Sequence, residues 1–584
     1  MRSHPRITRL GLFVRCTALC LSLVACSREP SGAPISGGTL LVTRDGGHAV
    51  IADSDRDRIL SVDLATEQVV AEIPLLAGDE PGRVIEDGAG RIHVVLRRSG
   101  ALMTLADART ALFVSRRVVC AEPRGLAWDS ATDLIHIACA SGELASIPAA
   151  GGEVSRRVML GRDLRDVIVQ GDHLVVSRFR TAELLTVDAA GTVMSAVRPP
   201  VVNRADFSFD TPELKTTAEP AVAWRTIALP DGSVVMSHQR QMKRPIRPTP
   251  GGYGSPESCN RGVVQTAMTL VAPGQAPIAL APFAQGALPV DIAFDPAHQR
   301  LAIAVAGAQT VTLVDNTALQ SRDDDHCGDQ VAARMSWASD LGQPTAVAFT
   351  PAGQLLAFYP DRPALAVLAE SGSRAIKLSG DSNQDEGRAL FHEQTGSGLA
   401  CASCHPEAGD DGLVWDFGDF VRRTQNVSGG ILSRGPYHWQ GDMTDLDVLL
   451  DDVFANRMSG TVPTSDQKEA LGAWLDRIPA PAPPPVTDVA AVDRGRAVFQ
   501  LAGCTECHSG AMFTNNTRVD VHTGGVFKVP SLLGVGARAP FLHDGCAPTL
   551  RDRFGACGGG DYHGRTSELD DTQLDDLLVF LESL

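Results

Sequence analysis

The chain has 584 residues, 44% of them hydrophobic, and a formal net charge of −17 from 52 Lys and Arg against 69 Asp and Glu. This length is enough for two or three domains, each with its own core. The acidic balance argues against a nucleic-acid partner and is compatible with docking of a basic protein. Beyond the N-terminal leader, no stretch is apolar for long enough to cross a membrane.

The N-terminus is typical of an export signal. Arginines between Arg2 and Arg15 form a positive leader, and an apolar stretch up to Val24 follows it. The sequence Leu23-Val24-Ala25-Cys26 resembles a bacterial lipobox, whose cysteine receives a lipid and becomes the new N-terminus. We therefore expect a lipoprotein signal peptide at 1–25, a lipid on Cys26 and a tether at 26–39. Ordinary secretory cleavage is the alternative. Both place the mature chain in the periplasm or cell envelope, and Ser27 favours the outer membrane.

Residues 40–375 repeat a unit of alternating apolar strands separated by turns rich in Asp and Gly. The units start near residues 41, 83, 125, 166, 226, 291 and 346. This spacing is typical of four-stranded blades, which bury their faces only against neighbouring blades, and predicts an all-β seven-bladed propeller. A pair of packed β-sheets is the competing interpretation. The segment Val290–Asp315 resembles the bacterial surface-layer and YVTN type of propeller repeat.

Two copies of Cys-x-x-Cys-His follow the repeats: Cys401-Ala-Ser-Cys404-His405 and Cys504-Thr-Glu-Cys507-His508. The pentapeptide is a c-type haem attachment signature, because its two thiols form thioethers with the haem vinyl groups and its histidine ligates the iron. We therefore expect two covalently bound haem c groups, with His405 and His508 as proximal ligands. A zinc site made of two Cys-x-x-Cys pairs would leave both histidines unexplained.

The two motifs belong to an internal duplication. Gly387–Phe391 and Gly495–Phe499 precede the motifs as similar helix starts, and Leu471–Ile478 and Leu574–Leu581 close the units with helical apolar spacing. The first unit spans 385–479 and the second 493–584, and the proline-rich stretch 480–492 links them. The sequence predicts two all-α c-type cytochrome domains in which the last helix packs across the first.

The duplication also suggests the sixth iron ligands. When Pro436–Gly441 is aligned with Pro540–Gly545, Met458 falls 17 residues after the first glycine and His563 falls 18 after the second. We therefore expect Met458 on haem one and His563 on haem two. Met443 or His438 remain alternatives for haem one. A methionine ligand raises the potential of its haem relative to a bis-histidine partner, which favours electron flow from haem two to haem one.

From residue 385 onward the chain resembles the di-haem cytochrome c peroxidase and MauG family of periplasmic oxidoreductases. The matching stretches are Ala400–Pro406, Pro436–Gly441, Cys504–His508, Val529–Leu533 and Ala539–Gly545. The resemblance implies that Trp439 is an electron relay between the haems and that His543 lies near them. The chain departs from the family where an acid commonly precedes the distal methionine, because Arg457 stands there.

The polar insertion 203–262, with its cluster of basic residues, either reaches toward the haems or a partner, or is a solvated loop. Its composition favours the solvated loop. The cationic positions are Arg225, Arg240, Lys243, Arg244 and Arg247.

Six cysteines remain after the leader, the lipid and the haems are accounted for. Pairing of sequence neighbours predicts disulfides Cys120–Cys139, Cys259–Cys327 and Cys546–Cys557, although free thiols or other pairings remain open.

Three functions fit these features. The first is a haem oxidoreductase of the peroxidase/MauG type, served by a small periplasmic redox protein or a small-molecule oxidant. The second is an electron-transfer protein with two six-coordinate haems and a propeller docking domain. The third is a propeller that binds a ligand and carries redox-sensing haems.

Overall fold

The computed structural model describes residues 32–208, 211–254, 262–281, 286–320, 322, 335–382 and 385–584. The predicted signal peptide, the lipidation site Cys26 and the predicted pair Cys259–Cys327 lie outside these residues. In the part of the chain that is described, no helix combines the length and apolar character needed to cross a membrane.

The described strands between Leu40 and Lys377 form seven antiparallel sheets. Blades one to three contain β1 Leu40–Val42, β2 His48–Asp53, β3 Arg58–Asp63, β4 Gln68–Pro74, β5 Pro81–Glu86, β6 Ile92–Leu96, β7 Ala101–Leu105, β8 Phe113–Val118, β9 Pro123–Asp129, β10 Leu134–Cys139, β11 Glu143–Pro148 and β12 Arg156–Met159. Blades four and five contain β13 Leu164–Gln170, β14 His173–Arg178, β15 Leu184–Val187, β16 Val193–Val197, β17 Val202–Ser208, β18 Thr211–Ala228, β19 Val234–Lys243, β20 Val264–Val271 and β21 Ile278–Ala279. Blades six and seven contain β22 Pro289–Asp295, β23 Arg300–Val305, β24 Thr310–Asp315, β25 Met335–Ala338, β26 Ala346–Phe349, β27 Leu355–Tyr359, β28 Ala364–Ala369 and β29 Gly372–Lys377.

The sheets form a closed ring. The inner strand of each blade contacts the inner strand of the next, and β26 of the last blade contacts β1 of the first. Strands near the centre are buried, whereas outer strands such as β4 alternate between exposed and half-buried residues. This is the burial expected when each sheet packs only against its two neighbours. The prediction of a seven-bladed propeller is confirmed. The fifth blade begins earlier than predicted, because β18 already supplies its inner strand.

The C-terminal third contains two units of similar plan. The helices are α1 Glu386–His392, α2 Cys401–Cys404, α3 Leu446–Leu449, α4 Ser465–Arg477, α5 Val489–Leu501 and α6 Asp571–Glu582, with a π-helical segment Leu450–Arg457 after α3. As predicted, the last long helix of each unit packs across the first, α4 on α1 and α6 on α5. At each crossing a glycine lies against a backbone carbonyl, Gly387 against Ala470 and Gly495 against Asp576.

The units are less helical than the all-α expectation. Each contains a two-stranded hairpin, formed by β30 Val414–Asp416 with β31 Val421–Arg423 and by β32 Arg518–Asp520 with β33 Val526–Lys528. Much of the remaining chain is loop and short 3-10 helix. These 3-10 segments are Pro406–Ala408, Ile431–Arg434, Cys504–Glu506, Val535–Ala537, Asp552–Phe554 and Gly560–His563.

The two units are buried differently. Side chains of the first unit, among them Phe391 and Trp474, belong to the same hydrophobic core as the propeller residues Trp224 and Tyr359. The second unit packs Phe499, Phe541 and Phe580 into a core of its own.

Two predicted disulfides are confirmed. Cys120 bonds to Cys139, which joins the end of blade two to blade three, and Cys546 bonds to Cys557 within the second unit.

Candidate haem sites

The second motif lies on the wall of a cavity of about 440 Å³. Helix α5 ends at Leu501, and the 3-10 turn Cys504–Glu506 follows it. Cys504, Cys507 and His508 all line the cavity, and the His508 N–H donates to the Cys504 carbonyl at 2.9 Å. The volume falls within the ~300–1,000 Å³ typical of small-molecule and cofactor sites. Apolar side chains line most of the remaining wall, including Phe499, Phe527, Leu532, Phe541, Leu542, Leu550 and Leu577.

His563 lies across this cavity from His508. The two imidazole centroids are 6.4 Å apart and the ring planes are inclined by 29°. A metal bonded to both Nε2 atoms at the usual ~2.0–2.1 Å would hold the centroids about 6–6.5 Å apart. Both Nδ1 atoms face backbone carbonyls, Phe513 at 3.1 Å and Gly558 at 3.2 Å, so each Nδ1–H donates and each Nε2 lone pair stays available. The pair fits a bis-histidine iron.

Burial also favours the ligand form of these two side chains. It lowers the pKa of His508 to about 4 and that of His563 to about 3, so both imidazoles are neutral at pH 7. The motif thiols Cys504 and Cys507 are free, as thioether formation requires. We call the cavity with Cys504, Cys507, His508 and His563 site two. The residues present there fit a covalently bound haem.

The first motif occupies helix α2, where Cys401 and Cys404 also carry free thiols. His405 Nδ1 lies 3.3 Å from the Gly409 carbonyl, again leaving Nε2 available. Met458 is 5% exposed and packs in one apolar cluster with Cys404 and Trp415. We call the surroundings of Cys401, Cys404, His405 and Met458 site one. This donor set fits a haem with histidine and methionine ligands.

The alternative ligands of site one lie close by. Met443 is buried in the larger core that also borders Cys401, and its backbone bridges to Tyr437. His438 Nδ1 is 3.4 Å from an Asp442 carboxylate oxygen. The assignment of Met458 stays a prediction. Among the described residues, no three His, Cys, Asp or Glu side chains converge as a structural zinc site would require.

The propeller insertion covers site one. Ile246 and Tyr253 of the insertion belong to the same apolar cluster as Met458 and Cys404. For the described residues of 203–262, the interpretation as a solvated loop is therefore wrong, and the alternative of a segment that reaches toward the first motif fits them. Of its cations, Arg225 is paired with Asp166 and Asp291 in the centre of the propeller. The error arose because composition reveals that a loop is polar but not which distant surface its few apolar residues meet.

Backbone bonds fasten this insertion to the segment that carries Met458. The N–H of Gly251 donates to the Asn456 carbonyl at 2.8 Å, and the N–H of Tyr253 donates to the Arg457 carbonyl at 3.1 Å. From the other side, Ser397 donates to the Met458 carbonyl with both its N–H, at 3.1 Å, and its hydroxyl, at 2.7 Å.

Arg457 occupies the position where the resembling family places an acid. Its guanidinium is paired with Asp452 and donates to the Tyr253 hydroxyl at 3.4 Å. Burial raises the pKa of Tyr253, which keeps its phenol neutral at pH 7.

Trp439 and His543 meet where the two units join. They hold equivalent positions in the duplicated loops, and their ring centroids are 6.3 Å apart. The loops exchange similar bonds: the Arg423 N–H donates to the His543 carbonyl at 2.7 Å, and the Lys528 N–H donates to the Trp439 carbonyl at 2.8 Å. Both rings line the cavity of site two. The structure thus brings both predicted residues to the boundary between the two sites.

Glu407 is a functional candidate that sequence reasoning missed. It directly follows His405-Pro406, has a positive φ of 54°, and contacts three propeller arginines. Its carboxylate lies 2.7 Å from Arg97, 2.5 Å from Arg165 and 3.4 Å from Arg124. Burial by itself would raise its pKa, but the charges of these arginines outweigh burial and lower it. The first haem motif is thereby fixed to the propeller.

No family model matches the chain. Hydrazine synthase subunit gamma from Kuenenia stuttgartiensis is 27% identical to it over 256 residues, a match that covers 32% of this chain and 72% of the relative. Among solved structures, Kuenenia stuttgartiensis hydrazine synthase superposes with a TM-score of 0.44 at 16% identity, covering 59% of this chain and 97% of that one. A streptogramin B lyase superposes with a TM-score of 0.38 at 10% identity, covering 56% and 91%. A catalytically inactive virginiamycin B lyase from Staphylococcus aureus gives 0.39 at 10% identity, covering 60% and 94%.

Proposed function

We propose that this protein is an exported di-haem c-type cytochrome that acts as an oxidoreductase of the peroxidase/MauG type, with one haem on each C-terminal unit. The observation that carries the proposal is the pair His508 and His563, whose facing rings are spaced for a six-coordinate iron. Cys504 and Cys507 lie on the wall of the same cavity, so the thiols that would attach a haem and the two histidines that would hold its iron lie together.

The two bound haems would supply one-electron iron couples. As an iron ligand at site one, Met458 would raise the potential there relative to the histidine pair at site two, which would favour electron movement from site two to site one. Trp439 supports a relay between them. Its ring lines the second cavity. Burial is the main cause that lowers the pKa of His405, and the charge of His438, the neighbour of Trp439, adds a smaller contribution of the same sign.

Peroxide chemistry at site one needs an open coordination position and a proton donor. With Met458 as a ligand, opening the position would require it to leave, and the segment 456–458 is held from two sides by Ser397 and the propeller insertion. Arg457 offers no acidic proton at neutral pH. These contacts favour a second candidate function, electron transfer without catalysis, in which both irons stay six-coordinate.

The relative's name supports a redox role. It is a subunit of hydrazine synthase, and we carry over to this chain only its link to redox chemistry. The proposed compartment is the periplasm or cell envelope, with a lipid anchor on Cys26 as the attachment to the membrane. A small periplasmic redox protein or a small-molecule oxidant is the proposed partner, and the net charge of −17 suits a basic protein donor.

Electron paramagnetic resonance of the ferric holoprotein, with a haem count by pyridine haemochrome, tests this proposal. We expect two haems per chain and a high-spin ferric signal that responds to peroxide or cyanide. Two low-spin haems that stay inert to peroxide and cyanide would establish the electron-transfer candidate instead. A protein exported by a strain competent in haem attachment that carries fewer than two haems contradicts both.

A further inference from the structure

Buried cations accumulate where the two C-terminal units meet. Arg434 and Lys528 are each 7% exposed, and Arg423 is 6% exposed. The carbonyl of Arg538 accepts from Arg423 at 2.7 Å, and burial, together with the charges of Arg423 and Arg434, lowers the pKa of Arg538. Like charges repel each other, and this repulsion is costly in a buried setting. A cluster of this kind needs anions.

The protein supplies few of them. Asp410 is paired with Arg423 at 2.7 Å and with Arg180 at 3.1 Å. For Arg434, Lys528 and Arg538, no carboxylate of the described residues lies within ion-pair distance.

Backbone carbonyls are the hydrogen-bond acceptors that these three cations reach. Lys528 donates to the Arg434 carbonyl, Arg538 donates to the Ser531 carbonyl at 2.7 Å, and Arg434 donates to the Asn426 carbonyl at 3.5 Å. The Nε atoms of Arg434 and Arg538 and one terminal nitrogen of Arg434 have no acceptor in the described chain. Buried donors of this kind normally have partners.

The pKa values of Arg434, Lys528 and Arg538 are those expected of buried cations that have no carboxylate within ion-pair distance. Burial lowers the pKa of Arg538 to about 9 and that of Arg434 to about 10. Burial also lowers the pKa of Lys528 to about 8, with a further contribution from Arg434. All three remain charged at pH 7, so the uncompensated charge persists under working conditions.

Lys528 and Arg538 line the cavity of site two, and a haem carries two propionate groups. We propose that Lys528 and Arg538 bind the haem propionates at site two, with Arg434 behind them adding to the positive field. This proposal rests on haem attachment as proposed above. It identifies a carboxylate-binding site that faces the boundary between the two units, beside Trp439.

The proposal predicts the potential of haem two. Cations near the iron favour the reduced state, so removal of one should lower the potential. The test variants are Lys528→Gln and Arg538→Gln, and Arg538→Lys retains the charge. Arg551→Gln is the control, because Arg551 is paired with Asp575 at the surface outside the cavity. We expect each glutamine variant to shift the reduction equilibrium about tenfold toward the ferric state, about 59 mV for one electron. Arg538→Lys and the control should stay near the wild type.

Spectroelectrochemical titration measures the reduction potential of haem two in each variant. Haem-loaded glutamine variants with an unchanged potential overturn the proposal, while a wild type without haem contradicts the proposed function instead. If the variants do not fold, a measurement on the wild type still tests the proposal. Propionates that occupy these cations leave no place for a second anion, so added inorganic phosphate should not change the potential of haem two in the wild type. A potential that shifts with added phosphate contradicts the proposal.

Discussion

The two C-terminal units share one plan but have different neighbours. Unit one, 385–479, shares its hydrophobic core with the propeller, and its Met458 segment is bonded to the propeller insertion. Unit two, 493–584, has its own core and surrounds a cavity with a facing histidine pair. The two units thus share one plan around a Cys-x-x-Cys-His motif, and packing made them unequal. The site with the higher expected potential is the one that the propeller restrains.

A single pair of equivalent residues shows how this difference arose. Glu407 and Gly510 each stand two residues after the motif histidine, and both have positive φ, 54° and 70°. Glycine adopts this conformation without cost, whereas another residue pays about 1–2 kcal/mol. A Cβ added to Gly510 would have no atom within 4 Å to contact, whereas the carboxylate of Glu407 is paired with three arginines. The ion pairs compensate for the strained backbone.

The largest expected effect is therefore that of Glu407→Gln. Removing the carboxylate leaves Arg97, Arg124 and Arg165 buried without their shared partner, so we expect a loss of about 3–5 kcal/mol in the stability of the propeller and unit one. Differential scanning calorimetry of the holoprotein measures it. Glu67→Gln is the control, because its pair with Arg374 is exposed and such pairs contribute about 0–1 kcal/mol.

The pH dependence of this variant has a definite sign. The pKa of Glu407 is lower in the folded protein than in the unfolded chain, so its contribution is complete above the unfolded pKa of about 4.3 and is lost as the pH falls below it. The gap in melting temperature between wild type and Glu407→Gln should narrow in acid. An equal gap at pH 7 and pH 3.5 would show that Glu407 acts by packing and not by charge.

The sequence predicted what repeats or lies close along the chain. Blade number, crossing helices and two disulfides follow from short-range patterns and from duplication. The contacts that distinguish the two sites are distant, since Glu407 lies 310 residues from Arg97 and Tyr253 lies 204 from Arg457. At such separations, the sequence around a polar residue does not indicate which residue it will pair with. The all-α expectation was too simple, because hairpins of three-residue strands leave little pattern in the sequence.

The helix crossings offer a test of intermediate size. A methyl group on Gly387 or Gly495 would collide with a carbonyl of the crossing helix, Ala470 or Asp576 respectively. We expect each alanine variant to lose about 1–3 kcal/mol, the usual cost of overpacking. Because unit one shares a core with the propeller, Gly387→Ala should lower the calorimetric transition of the propeller too. Gly495→Ala should lower only that of unit two. A single transition shifted equally by both variants would mean that the units unfold together.

The smallest expected effect concerns the restraint on Met458. Tyr253→Phe keeps the packing of the ring but removes the hydroxyl that accepts from Arg457, a hydrogen bond whose loss is expected to cost about 0.5–1.5 kcal/mol. If displacement of Met458 requires segment 456–458 to move, cyanide should bind ferric haem one about two- to tenfold faster in the variant, as followed in the Soret band.

Tyr562→Phe is the matched control for this measurement. Tyr562 directly precedes His563, as Arg457 precedes Met458, but it is 69% exposed and stacks on His522 with ring centroids 3.6 Å apart. Its hydroxyl should therefore have no influence on ligand entry at haem one. Equal cyanide rates in wild type and Tyr253→Phe would assign the restraint to Ser397 and the backbone bonds alone. A faster rate in Tyr253→Phe and not in Tyr562→Phe would show that the propeller controls access to the iron of unit one.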